Sequence, residues 1–318
     1  MNELFAQETS EIKESLDFKN YNIRLGTLFS GIGAAEQALH KLGVENEIIF
    51  ACDNNKHVKK SWQANYYTQN WYDDVKDVAN HEVDIIVGGS PCQSFSALGK
   101  QLGFKDTRGT LFYEYARVIK ESQPKVFIYE NVRSLLSHDN KRTFRTMCNI
   151  FNELGYDYFV QVLNAKDYGI PQSRNRVFVI GFRKDLNIKD FKFPESIKLT
   201  TTAFDYLESV IGESYFKTEK SVYNIIKRSN ERGSTKINTE IVPCLTANYN
   251  IGYNGYFLGK SLNRIRCLTP RECLRFMGFS DSFEIVVSNA QMYKQCGNSI
   301  VSNVLESLFT QIFSYLKF

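Results

Sequence analysis

The feature that most constrains this chain is the alternation of short apolar runs with helical stretches through about its first 200 residues. Ile23–Phe29 is followed by Ala34–Leu42, Ile48–Ala51 by Asn55–Tyr66, Asp84–Val87 by Thr110–Ser122, and Val126–Tyr129 by Arg142–Leu154. Strands separated by helices pair in parallel with helices on their faces, so the pattern predicts an α/β domain around a mostly parallel, Rossmann-like sheet. Tyr158–Leu163 and Arg176–Phe182 lack a long helix between them and are expected to form an antiparallel hairpin at a sheet edge. This first domain is expected to span 1–204. A small loop-rich domain follows over 205–269, where Lys227, Arg228, Asn230, Arg232, Gly233, Ser234 and Lys236 precede the run Asn248-Tyr-Asn-Ile-Gly-Tyr-Asn-Gly-Tyr256. Residues 270–318 turn helical again. Val301, Val304, Leu305, Leu308 and Ile312 form a stripe that must be buried, with the large domain as its expected partner.

Composition excludes several classes and selects none. A chain of 318 residues with 43% hydrophobic residues can bury a substantial core. Glu3, Glu8, Glu11, Lys13, Glu14 and Asp17 interrupt any apolar leader, and no later run approaches membrane-spanning length, so a cytoplasmic protein with a polar or short amphipathic lead-in over residues 1–20 is expected. The net charge of +4 permits a polyanionic partner but fits enzymes of small molecules equally well. The seven cysteines, at 52, 92, 148, 244, 267, 273 and 296, form no CxxC pair and no group with the four histidines. Neither a disulfide framework nor a zinc site is indicated, and a thiol here is special only if its surroundings lower its pKa.

Four segments and Asp53 place reactive groups at strand boundaries, and open α/β sheets bind ligands at the carboxyl ends of their strands. Phe29-Ser-Gly-Ile-Gly33 follows the first strand and opens a helix, and Asp53 ends the second strand where such folds place a ribose-hydroxyl acceptor. A tight strand-to-helix turn explains the glycines alone equally well. Gly88-Gly-Ser-Pro-Cys-Gln-Ser-Phe-Ser96 puts Cys92 on the loop after another strand, and Glu130-Asn-Val132 ends the neighbouring one. A buried loop thiol and a helix-capping acid are the bland alternatives. Gln172-Ser-Arg-Asn-Arg176 leads into a strand and is expected to direct Arg174 and Arg176 to one face, where guanidinium forks suit phosphates or base acceptors. Arg271–Phe279 after Pro270 reads as a helix, and Gly297-Asn-Ser299 as the N-cap of the last helix.

Taken together, these motifs resemble those of the DNA cytosine-5 methyltransferases, particularly the short bacterial restriction–modification type that the HhaI enzyme exemplifies. The resemblance runs from Arg24 to Leu308 and adds Gly99-Lys-Gln-Leu-Gly-Phe104, Arg108-Gly-Thr-Leu111, Tyr168-Gly-Ile-Pro171, Leu268-Thr-Pro-Arg-Glu272 and Tyr293-Lys-Gln-Cys-Gly-Asn-Ser299. It implies a class I S-adenosylmethionine-dependent methyltransferase fold with a target-recognition domain, acting on a cytosine flipped from duplex DNA, with no metal. Cys92 would add to C6, Glu130 would engage the N3 and amino edge as a protonated or hydrogen-bonded carboxyl, and Arg176 with Arg174 would hold O2 and nearby backbone. A lid from Ser94 to about Thr107, with Gly99 and Gly103 as hinges, would close over the base.

For S-adenosylmethionine, released as S-adenosylhomocysteine, the resemblance implies Phe29, Ser30, Gly31, Ile32 and Gly33 on the methionine and adenosine side. Asp53 would take the ribose hydroxyls, Asp74 and Val75 the adenine, and Pro91, Leu111, Asn298 and Ile300 would complete the pocket. Asn54 replaces an aromatic neighbour found in the HhaI enzyme and weakens the expected stacking. DNA contacts are expected from Gln93, Ser96 and Leu98, and from Arg228, Asn230, Arg232, Lys236, Thr246, Asn248 and Tyr249 in the small domain. Cys244-Leu245 stands where a Thr-Leu pair is usual, so no recognition sequence is carried over. A monomer with a separately acting endonuclease is expected. The rivals are a tRNA cytosine-5 methyltransferase of the same fold and a catalytically inactive DNA-binding scaffold.

Overall fold

The computed structural model describes residues 21–91, 111–232, 235–249, 255–261, 264–316 and 318. They form two compact units, one of residues 1–163, 175–195 and 305–318 and the other of 164–174 and 196–304. The segment after residue 270 thus divides between them, with the helices Pro270–Phe276 and Asn289–Asn298 in the second unit and the end of the last helix in the first.

The first unit is built on β1 (Asn22–Leu28), α1 (Ala34–Leu42), β2 (Glu45–Cys52), α2 (Lys56–Asn65), β3 (Asn70–Tyr72), β4 (Ile85–Gly88), α3 (Leu111–Ser122), β5 (Val126–Val132), α4 (Arg142–Glu153), β6 (Tyr156–Asn164) and β8 (Asn175–Arg183). Its seven strands run in the order β3-β2-β1-β4-β5-β8-β6. The β1–β2, β2–β3, β1–β4 and β4–β5 pairs are parallel, and β5–β8 is antiparallel. The expected edge pair is therefore present, with the later strand β8 on the inside and β6 at the edge. Strand β3 was not legible from the sequence pattern.

Strand order reverses between β1 and β4, so their carboxyl ends flank the crevice where open α/β sheets take ligands. Local chemistry fixes the helices that follow. α1 ends at Gly43 with φ of 67°, a left-handed cap suited to glycine. At the start of α2, Asn55 Oδ1 accepts from the N–H groups of His57 and Val58. α3 and α4 bury Phe112, Tyr115, Ile119, Met147, Ile150 and Phe151 against Phe127, Tyr129, Val177 and Val179 of the sheet. Each such side chain contributes roughly 1.5–3 kcal/mol through removal of apolar surface from water.

The second unit contains β7 (Gln172–Ser173), α5 (Glu219–Arg232), β9 (Thr235–Ile237), β10 (Val242–Pro243), β11 (Gly255–Ser261), β12 (Arg264–Arg266), α6 (Pro270–Phe276) and α7 (Asn289–Asn298). β7 pairs with β10, and β12-β11-β9 form a small sheet. α6 has Pro270 in its first turn and a capping box between Thr269 and Glu272. Buried Glu272 also takes the Arg266 fork at 2.8 Å on each oxygen.

Two local readings change. The polar stretch through residue 232 contains the 14-residue helix α5. Ser299 does not open the last helix: it is the C-cap of α7, and α8 (Ser302–Tyr315) begins three residues later. The apolar stripe of that last segment is buried as expected, with Val301, Val304, Leu305, Leu308 and Ile312 at most 3% exposed. In the first unit Tyr21 packs on Phe313 at 5.1 Å and Lys41 pairs with Glu306. No described helix is long and apolar enough to cross a membrane.

Candidate active site

The turn after β1 is shaped by backbone conformation. Phe29, Gly31 and Gly33 all have positive φ, at 54°, 55° and 85°. The non-glycine position stores about 1–3 kcal/mol of strain that the surrounding structure must hold. A Cβ on Gly33 would lie 2.2 Å from the Tyr66 ring, whereas one on Gly31 would meet nothing nearer than Phe29 O at 4.0 Å. Space is therefore open beside Gly31, where a ligand can approach the backbone.

Ser30 ties the ends of β1 and β2 together: its N–H donates to Cys52 O at 2.9 Å, and its Oγ accepts from Cys52 N–H at 2.9 Å. Asp53 closes the turn, with Oδ2 accepting from Gly31 N–H at 3.1 Å and Oδ1 from Asn55 N–H at 3.0 Å. Burial pushes its carboxyl up, opposed by those two N–H bonds. Each oxygen retains a second lone pair, an acceptor to which a ribose hydroxyl can donate.

The other cofactor candidates of the first unit have distinct surroundings. Asn54 and Asp74 are exposed, and Asp74 Oδ1 caps a short turn at Lys76 N–H. The side chains of Val75 and Ile32 are buried, which leaves their backbone for any ligand. Pro91 is exposed, and Leu111 is half-buried at the start of α3. The open cradle at Gly31 and the spare acceptors of Asp53 fit an adenosyl ligand. Asn298, exposed, and Ile300, half-buried, belong to the second unit.

Beneath this turn lies a group the sequence reading missed. Glu36, on α1 and 3% exposed, accepts through Oε1 from Thr27 Oγ1 at 3.1 Å and Trp62 Nε1 at 3.0 Å. Thr27 Oγ1 lies 2.8 Å from Ser30 Oγ. Glu36 Oε2 has no hydrogen-bond partner among the described residues. Burial pushes this carboxyl above its ordinary value of 4.5, so the folded chain binds the proton more tightly than the unfolded chain does. Its stabilising contribution is full below that ordinary value and is lost as pH rises through the folded one, at about 1.4 kcal/mol per unit of displacement. Glu36→Gln keeps the Oε1 acceptor and removes the titration. The melting temperature of the wild type relative to this variant should therefore fall as pH rises above the ordinary value of 4.5. A difference independent of pH would contradict the assignment.

Glu130 and Arg176 form the second half of the site. Arg176 Nε lies 3.0 Å from Glu130 Oε1, with side-chain exposures of 17% and 14%. In the β5–β8 register Arg176 stands opposite Val132, two residues from Glu130, so the pair is a diagonal contact on one sheet face. The chain leaving β4 runs against Glu130: a Cβ on Gly89 would be 2.2 Å from Glu130 O. Cys92, Gln93, Ser96, Leu98 and the expected lid lie outside the described residues.

Arg174 departs from its expected role. It precedes β8, belongs to the second unit and is 3% exposed. Its guanidinium donates to Leu245 O at 2.7 Å, Gly297 O at 3.0 Å, Ser299 O at 2.7 Å and Cys244 Sγ at 3.4 Å. A fork committed to four acceptors of its own chain acts as a tether. Tyr249 is corrected too: it is 5% exposed, and its hydroxyl donates to Tyr256 O at 2.7 Å and accepts from Leu268 N–H at 2.9 Å, so it cannot read a groove. Lys236, Thr246 and Asn248 are exposed, and Arg228, Asn230 and Arg232 lie on α5.

The sheet order, the turn at its switch point and the acid–guanidinium pair beside it define a class I methyltransferase fold. The sequence profile of the C-5 cytosine-specific DNA methylase family matches residues 23–314. The chain belongs to that family and is a DNA cytosine-5 methyltransferase. Among its relatives, the type II methyltransferase M.HhaI of Haemophilus parahaemolyticus is 37% identical, over 93% of this chain and 96% of that one. The type II methyltransferase M1.ScrFI of Lactococcus lactis subsp. cremoris is 36% identical, over 94% and 80%. A crystal structure of a Spodoptera frugiperda DNMT2 mutant shares the fold with a TM-score of 0.75 and 20% identity, covering 92% of this chain and 99% of that one.

Proposed function

We propose that this chain is the modification enzyme of a restriction–modification system, methylating C5 of a cytosine flipped out of duplex DNA, with Cys92 as nucleophile. The observation that carries the reading is the Glu130–Arg176 pair, packed against the backbone that leads from β4 to Cys92. S-adenosylmethionine, when bound, supplies an electrophilic sulfonium methyl group at C5 and leaves as S-adenosylhomocysteine. Phe29 through Gly33, Asp53, Asn54, Asp74, Val75, Pro91 and Leu111 would hold it, and the sequence resemblance adds Asn298 and Ile300 to the same role.

The chain's own work is to make cytosine nucleophilic. The Cys92 thiolate adds to C6, forming a C–S bond and pushing the C5=C6 electron pair into the ring. Glu130 engages the N3 and amino edge as charge develops there, and Arg176 holds O2, both fixed in advance by their contact with each other. Once C5 carries the methyl group, its proton passes to a solvent base, the C5–H electron pair re-forms C5=C6, and the C6–S bond breaks to return the Cys92 thiolate. Extruding the base costs a few kcal/mol. Target reading falls to Gln93, Ser96 and Leu98 and to the second unit, through Lys236, Thr246 and Asn248 with Arg228, Asn230 and Arg232. The enzyme acts as a cytoplasmic monomer, apart from its endonuclease.

Tritiated methyl transfer to duplex DNA and to tRNA tests the substrate class. Incorporation into duplex DNA, mapped by bisulfite sequencing to one sequence context, is the expected result. Incorporation into tRNA alone would overturn the proposal.

A further inference from the structure

The backbone just before the catalytic loop is clamped by Ser90, Tyr129 and Asn131, side chains to which the reaction assigns no role of their own. The β4 ladder ends where Gly88 stands opposite Tyr129, so residues beyond it have left the sheet's regular hydrogen bonding. Side chains from β5 take over there. Asn131 Nδ2 donates to Ser90 O at 2.8 Å and to Tyr129 OH at 3.0 Å, and Ser90 Oγ lies 2.8 Å from Tyr129 OH. All three residues are buried, at 1%, 0% and 4% exposure for Ser90, Tyr129 and Asn131.

The phenol at the centre of this ring is itself immobile. The Tyr129 ring packs edge-on against Phe112 at 5.9 Å and Tyr115 at 5.0 Å, and against Phe151 at 6.1 Å. Its oxygen is therefore held by the hydrophobic core where it meets Ser90 and Asn131. Asn131 also accepts from Val132 N–H at 2.9 Å through Oδ1, so its amide has one orientation. The hydroxyl and carbonyl of Ser90 are thus both held, two residues before Cys92.

We infer that Tyr129 and Ser90 are positioning residues for the methyl-transfer reaction, a hydroxyl pair that anchors the chain leaving β4 to the α3–β5–α4 core two residues before Cys92. This rests on the assignment of Cys92 above. Neither residue touches substrate. They fix the exit direction of the chain at Ser90, and a displacement of about 1 Å in a reacting group can cost on the order of 100-fold in rate.

Tyr129→Phe removes one oxygen and keeps the aromatic packing, and Ser90→Ala removes the partner. Each variant, confirmed as folded by thermal unfolding, is assayed as full chain for kcat, for KM toward S-adenosylmethionine and duplex DNA, and for the rate of covalent adduct formation with duplex containing 5-fluorocytosine. The expected result is a fall of roughly 10- to 100-fold in kcat and in adduct rate, with both KM values within about 2-fold of wild type. The double variant should be no slower than the worse single one, because both remove the same contact. A kcat within about 2-fold of wild type for Tyr129→Phe, multiplicative losses in the double variant, or losses confined to KM would each overturn the inference. Failure of the Cys92 assignment is seen separately, as absence of adduct in the wild type.

Discussion

Cys92→Ser abolishes methyl transfer, by roughly 10⁴-fold or more, while leaving duplex binding and S-adenosylmethionine binding in place. The expectation follows from nucleophilicity and from the condition of the other thiols. Addition to C6 needs a thiolate, and a serine hydroxyl does not ionise near neutral pH. Burial pushes the thiols of Cys52 and Cys296 up to about 12, which disfavours their thiolates near neutral pH. Burial likewise raises Cys148, Cys267 and Cys273. Cys244 is half-buried, with its Sγ accepting from Arg174 and donating to Leu245 O. Cys92, the proposed nucleophile, is the thiol this variant removes. With 5-fluorocytosine in the target duplex the C5 substituent cannot leave as a proton does, so the wild type should be trapped as a denaturation-resistant complex. An adduct formed by Cys92→Ser, or none formed by the wild type, would sink the covalent assignment.

The sheet and its helices were legible because their signals are local and redundant. Ala34–Leu42 could be bounded to the residue: it lies between Gly33 and Gly43, each in a left-handed conformation. β3 escaped because three residues, Asn70–Tyr72, carry no period; pairing with the end of β2 makes them a strand. α5 escaped for a different reason. Its 14 residues are mostly polar, and Val222 and Ile225 are its buried hydrophobics among those described, too few for a stripe. Ser299 shows how a cap residue misleads, since Gly-Asn-Ser suits the end of one helix as well as the start of another, and only the extent of α7 decides.

The site was legible to the extent that its groups sit at strand ends. Glu130 and the turn after β1 could be placed from strand boundaries alone, whereas the Ser90–Tyr129 contact required the β4–β5 register. Tyr249 failed because an aromatic in a Gly/Asn-rich run reads as surface, and its two backbone hydrogen bonds depend on Tyr256 and Leu268 lying beside it. Charge was the least informative signal. Arg174 and Arg176 are two residues apart in one motif, yet one guanidinium is committed to backbone carbonyls and the other faces a carboxylate.

That difference between the two arginines is the second large effect. Arg174→Met leaves the carbonyls of Leu245, Gly297 and Ser299 without their charged donor in a buried setting. Hydrogen bonds to a charged group contribute about 1.5–3 kcal/mol each, and truncating one partner of a buried charged contact costs about 3–5 kcal/mol. A loss of that size should lower the melting temperature by roughly 10 °C. Arg176→Met removes a single ion-pair partner from a carboxyl that retains some access to water, so its melting temperature should stay within a few degrees of wild type. Its loss should appear in kcat, by roughly 100- to 1,000-fold, because a preorganised donor at the base O2 and the orienting contact for Glu130 are both gone. Thermal unfolding and single-turnover methyl transfer on the two variants read these effects apart. An Arg174→Met protein that melts like the wild type but has lost transfer would return this guanidinium to the substrate. The expected pattern makes it the tether that binds the 244–245 and 297–299 segments into one unit, and leaves Arg176 as the arginine that meets the base.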